Sequence, residues 1–232
     1  MARDTGAERA EIERAIEGRT LLTCFADIVE AHGDQNALNW KADGEWHAMT
    51  WEQYRDQVRD VALGLRAAGF APGEFGVIMA RNRPEHVIAD LGIMHAQGTP
   101  VSLYNTLAAE QVAYITGHCQ ATVAIVEDEG FLAKFQEVRA QLPGLRLVVV
   151  MGSLPHEHDE WLMTWDELVT AGREAAGADP AAFDQMWRQV KPDDLATLIY
   201  TSGTTGPPKG VMDAQRQVIW MAEATRHFLP LE

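Results

Sequence analysis

The chain has 232 residues, long enough to bury a substantial core, and its 47% apolar and 23% charged content is that of an ordinary water-soluble fold. Acidic residues outnumber basic ones 34 to 19, and the resulting charge of −15 argues against a nucleic-acid partner and gives no pull toward anionic lipid. The first twenty residues lack an apolar signal core and no apolar run approaches the ~18 residues needed to cross a bilayer, so the expectation is a cytoplasmic protein that meets membranes at most peripherally.

Residues 1–19 read as a polar leader with helical spacing around Ile12 and Ile16. Residues 37–40 and 46–49 alternate as strands about the turn Lys41-Ala42-Asp43-Gly44, which predicts a hairpin. Thr50 has the character of a helix N-cap, and Trp51, Tyr54, Val58, Val61, Ala62 and Leu65 follow at helical spacing until Gly69. From there strand and helix alternate. Strands are expected at 75–79, 99–103, 121–126 and 145–151, and helices at 84–97, 108–118 and 131–142. The predicted class is α/β, with a mostly parallel sheet and covering helices. A polar loop at 152–161, helices at 164–176 and 181–190, a strand at 195–200 and a closing helix at 214–228 complete the chain. Asp193-Asp194 after Pro192 reads as a short turn before the last strand.

Cys24 and Cys119 are far apart, with no metal-like spacing, and read as reduced thiols. His156-Glu157-His158-Asp159-Glu160 fails the H-E-x-x-H pattern and reads as a solvated loop. His86, His95 and His118 stand singly and read as packing or surface residues.

The chemistry concentrates in YTSGTTGPPKG, residues 200–210. An apolar strand delivers the chain to a turn in which Gly203, Gly206 and Gly210 permit close approach of backbone amides to a ligand. Thr201, Ser202, Thr204 and Thr205 supply hydroxyl donors, and Lys209 supplies a compact cation. Such a run is an anion cradle. It is not a Walker A loop, because Pro208 stands where that pattern needs glycine and Gly210 where it needs Ser or Thr. Nor does it contain G-x-G-x-x-G.

This stretch resembles the phosphate-loop motif of the adenylate-forming superfamily, which includes acyl-CoA synthetases, luciferases and peptide-synthetase adenylation domains. A second block, Asn82-Arg83-Pro84-Glu85, Ala89-Asp90-Leu91, Gly98, Pro100-Val101, Leu103-Tyr104-Asn105-Thr106 and Gln111, is similar to the N-terminal part of long-chain fatty acyl-CoA synthetases. The similarity runs from about Leu21 to Val211. It implies activation of a fatty acid by ATP and Mg2+ to an acyl-adenylate, from which coenzyme A then displaces AMP. By the same resemblance, Thr201, Ser202, Gly203, Thr204, Thr205, Gly206 and Lys209 would contact the phosphates, and Thr201 would help hold magnesium. Where relatives carry a histidine near the acyl site, this chain has Gln215, to which no role is assigned. The family's later motifs are not found by Glu232. The expectation is therefore that residues 20–232 form a partial N-terminal AMP-binding domain with unfinished edges. It would work with a complementary C-terminal chain or persist as an inactive, non-catalytic remnant.

Overall fold

The computed structural model describes residues 5–154, 159–201 and 206–229. The leading helix α1 (Thr5–Ala15) buries Ile12, which is 2% exposed. Helix α2 (Leu21–His32) was not anticipated, although its start is written in Thr20-x-x-Thr23: each threonine side chain accepts the other's backbone N–H, a reciprocal cap. The expected hairpin follows as β1 (Asn36–Ala42) and β2 (Glu45–Thr50), turning through Asp43 and Gly44, both at positive φ. Thr50 caps α3 (Trp51–Ala67), with Gln53 closing the cap from the other side.

Strand β3 (Phe75–Met79) and helix α4 (Pro84–His95) come next, α4 opening with proline at its first position. They are followed by β4 (Thr99–Ser102), α5 (Ala109–His118), β5 (Val123–Val126), α6 (Glu129–Glu137) and β6 (Leu147–Val150). Helix α6 starts earlier than its apolar spacing predicts, because Asp128 accepts the N–H groups of Gly130 and Phe131. It also ends earlier, in a 3-10 turn at Arg139–Gln141 between the buried Val138 and Leu142. Between the expected polar loop at 152–161 and α7 (Trp165–Ala178) the chain forms an unanticipated short strand, β7 (Leu162–Thr164), which takes Thr164 from the expected start of that helix. Helix α8 (Ala182–Trp187), strands β8 (Leu195–Thr201) and β9 (Lys209–Ala214) and helix α9 (Gln215–Phe228) complete it.

The main sheet is parallel throughout, in the order β4-β3-β5-β6-β7. Its strands are apolar on both faces, and two cores result. One is formed with α2, α3, α4 and α7, and the other with α5, α6 and the inner side of β8. Helices α3 and α7 cross at close range. A Cβ on Gly172 would stand 1.7 Å from the Asp60 carbonyl oxygen, and one on Gly64 would stand 2.2 Å from that of Leu168. The same crossing holds the buried Asp60 carboxylate between Arg59 (2.8 Å) and Arg173 (2.9 Å). Strands β8 and β9 form a separate antiparallel pair beside β4, linked to it by the Thr197 hydroxyl, which donates to the Pro100 carbonyl at 3.2 Å.

Candidate phosphate-loop site

In strand β8 the even positions Ala196, Leu198 and Tyr200 are buried, and the odd positions Ile199 and Thr201 are exposed. The hairpin then returns as β9 with Thr201 opposite Lys209, Tyr200 opposite Gly210 and Ile199 opposite Val211. Residues directly opposite in an antiparallel pair carry their side chains on one face. The Thr201 hydroxyl and the Lys209 ammonium therefore share the outer face at the mouth of the loop. Both residues are exposed, and Lys209 has no ion-pair partner among the described residues.

Ser202, Gly203, Thr204 and Thr205, expected to contact phosphate, lie outside the described residues. So do His156, Glu157 and His158. Gly206 closes the loop at φ +113°, a backbone conformation that a side chain would strain. Gly210 serves a different purpose. It faces inward, and a Cβ there would meet the Leu198 side chain and the Tyr200 ring, each at 3.3 Å, so its bareness leaves room for both.

Helix α5 reaches both stems of the loop. The Tyr200 hydroxyl and His118 Nδ1 are hydrogen-bonded at 2.6 Å, and burial pushes the Tyr200 hydroxyl up to about 12. One helical turn earlier, the Tyr114 hydroxyl donates to the Pro208 carbonyl at 3.1 Å. The Tyr114 and His118 rings stack on each other with centroids 5.5 Å apart. Sequence reasoning treated His118 as a surface or packing residue and passed over Tyr114. The available signal was their i, i+4 spacing, which places two polar aromatic tips on one face of α5.

Gln215, to which the sequence assigns no role, is 1% exposed. Its Oε1 accepts the Leu21 N–H at 3.0 Å, and its amide nitrogen lies 3.8 Å from the Met94 sulfur. This side chain ties the start of α9 to α2 and α4.

In a parallel sheet of this order, ligands commonly bind where the connections diverge, here at the carboxyl ends of β3 and β5. That crevice is filled from within. Arg81, just after β3, pairs with Glu127 at 2.8 Å and Asp128 at 2.9 Å, just after β5, and its backbone N–H donates to Glu127 at 2.6 Å. The hydrogen bond from Arg81 holds the Asp128 carboxyl below its usual range. Among the described residues no group of three His, Cys, Asp or Glu could hold a metal ion, and no helix is long and apolar enough to cross a membrane.

An open groove of about 1430 Å3 runs between α1, the β8–β9 hairpin and α9, lined by Ile12, Ile16, Ile199, Trp220, Met221 and Phe228. Ile199, Val211, Met212 and Met221 are exposed on the hairpin and α9.

The family model described as "AMP-binding enzyme" matches residues 25–231. The chain belongs to this family. Among curated AMP-binding relatives, the Xenopus laevis long-chain-fatty-acid–CoA ligase ACSBG2 is 35% identical over 205 residues, which cover 88% of this chain and 27% of that protein. The chain thus spans about a quarter of the length of that relative. Two solved structures show the fold. MbtA of Mycobacterium smegmatis superposes with a TM-score of 0.76 at 22% identity, covering 97% of this chain and 40% of its own. The anthranilate CoA ligase AuaEII, in complex with anthranoyl-AMP, gives 0.68 at 24% identity, covering 86% and 35%. The α/β fold expected from the sequence is thereby that of part of an adenylate-forming enzyme.

Proposed function

We propose that this chain supplies the ATP-phosphate cradle of a fatty-acid-activating ligase and completes that activity together with further AMP-binding-family sequence. The observation that carries the reading is the β8–β9 register, which sets the Thr201 hydroxyl and the Lys209 ammonium on one exposed face at the two ends of the glycine-rich loop. In this reading Thr201, Ser202, Gly203, Thr204, Thr205 and Gly206 donate to the β- and γ-phosphates, and Lys209 neutralises them. Catalysis by such a cradle consists of holding the polyphosphate still while a carboxylate attacks the α-phosphorus.

One hydroxyl does not make a magnesium site. Mg2+ is commonly shared between substrate phosphates and one or two protein oxygens, so Thr201 fits as a single oxygen for an ion brought by ATP. That ion would neutralise phosphate charge. The reaction proposed is ATP, a fatty acid and coenzyme A giving acyl-CoA through the acyl-adenylate, in the cytoplasm. The similarity to long-chain-fatty-acid–CoA ligases supports the substrate class.

A non-catalytic role as one half of a divided ligase is the second reading, favoured by the apolar outer face of the hairpin and α9. ATP–pyrophosphate exchange with a long-chain fatty acid separates the two, because a chain without a catalytic role gives no exchange even after a complementary C-terminal chain is added. The expected result is Mg-ATP binding by the purified chain and exchange only after addition of a complementary C-terminal chain. Exchange by the chain alone overturns the need for that partner, and failure to bind Mg-ATP overturns the cradle itself.

A further inference from the structure

The two bonds from α5 end on opposite stems of the loop, each one residue ahead of a group assigned to the phosphates. Tyr200 precedes Thr201, and Pro208 precedes Lys209. We infer that Tyr114 and His118 are positioning residues for the phosphate loop, fixing the separation of its stems and through it the affinity for a polyphosphate. This rests on the reading of the loop as an ATP cradle.

Three features make the clamp necessary. Thr201 and Lys209 form the last pair of the β8–β9 ladder, and the end of a two-stranded pair frays readily. Pro207 and Pro208 lack backbone N–H groups, so the returning stem offers no donor there with which to extend that ladder. The bond from Tyr114 to the Pro208 carbonyl holds the stem where the backbone supplies no donor. On the other stem, the Tyr200 hydroxyl reaches His118 across a ring that lies against the bare Gly210.

The clamp also has a firm base. Val112 and Ile115 of α5 are buried in the core under the sheet, at 0% and 3% exposure, so the helix does not drift with the loop. Stacking of the Tyr114 and His118 rings couples the two contacts, and a shift of one ring displaces the other. A displacement at Tyr200 or Pro208 passes directly to the Thr201 hydroxyl or the Lys209 ammonium, because each is the next residue in the chain. Misplacement on this scale matters for a cradle whose task is geometry.

The test uses the full chain with Tyr114→Phe, His118→Leu and His118→Asn. Asparagine keeps a hydrogen-bonding group, able to donate or accept, where Nδ1 stands, whereas leucine removes it. Amide hydrogen exchange is followed at residues 199–201 and 209–211, with β5 as the reference. Mg-ATP and inorganic tripolyphosphate are titrated in parallel. The expected result is exchange about fivefold faster at the stems in Tyr114→Phe and His118→Leu, unchanged exchange in β5, a similar loss of affinity for both probes, and recovery of both readouts in His118→Asn. Unchanged exchange at the stems overturns the clamp, as does an equal acceleration everywhere, which marks a merely structural role. Looser stems with unaltered affinity overturn the positioning role. If the wild-type chain binds neither probe, the cradle reading fails and with it the link to affinity, while the exchange data still decide whether α5 holds the stems.

Discussion

The side-chain oxygen of Gln215 accepts the backbone N–H of Leu21 at 3.0 Å, joining two residues 194 positions apart at the starts of α9 and α2. The first N–H groups of a helix have no partner within it, so Gln215 satisfies a donor that the fold itself leaves open. Gln215→Ala leaves that donor buried and unmatched. The expected loss is about 1–3 kcal/mol of stability, read from urea unfolding midpoints. Because the side chain is turned into the body of the protein, the same variant should leave Mg-ATP affinity within about twofold of wild type, provided the fold is retained.

The α3–α7 crossing predicts opposite outcomes for two glycines of one helix. Gly172→Ala forces a methyl into the Asp60 carbonyl, where only movement of a backbone can relieve it. It should cost about 3 kcal/mol or more, or abolish cooperative unfolding. Gly177→Ala, in the last turn of α7, meets nothing within 4 Å and should stabilise by about 0.5 kcal/mol. Thermal melts of the two variants side by side check the contrast.

Much of the fold was legible in the sequence because it is local. Phe75–Met79 is a strand at the bounds its apolar run predicts, and Thr50 begins α3 where its hydroxyl predicts. Strand β9 was not legible. Gly210 sits where an inward apolar residue would have marked the alternation, and Asp213 interrupts the outward face. The bareness of position 210 makes room for the Leu198 and Tyr200 side chains across the hairpin. Of the site, the loop composition was readable, but its clamp was not. The bonds from Tyr114 and His118 span 94 and 82 positions, beyond the reach of any local pattern.

His95 predicts an acid limit. Its ring is stacked on Phe183 and its Nδ1–H donates to the Leu91 carbonyl at 2.8 Å. Burial pushes its pKa down to about 4 from the ordinary 6.5. The unfolded chain therefore takes up the proton first as pH falls. Stability from this group is complete above pH 6.5 and is lost progressively toward pH 4. NMR of the His95 ring should show no titration from pH 8 to 5. A midpoint near 6.5 contradicts the prediction.

Asp90 acts in the opposite sense. Burial pushes its carboxyl from 3.8 up to about 7, so the folded chain holds its proton more tightly than the unfolded one. Stability from this group is complete below pH 4 and is lost as pH rises through 7. Asp90→Asn cannot ionise. It should therefore gain stability relative to wild type on going from pH 4 to pH 8, by on the order of 1–3 kcal/mol, checked by chemical denaturation at both values.

The pairing of Arg81 with Glu127 and Asp128 has a consequence for how a charged ligand meets this molecule. A polyphosphate approaching a chain of net charge −15 is repelled over most of its surface. At the divergence of the strands it finds a guanidinium whose field is already cancelled by two carboxylates. That crevice is electrically quiet, and a tetra-anion gains nothing by lodging in it. The exposed Lys209, with no carboxylate bound to it among the described residues, keeps its field. On the proposed reading, where a nucleotide lands would be decided partly by what the protein has silenced elsewhere.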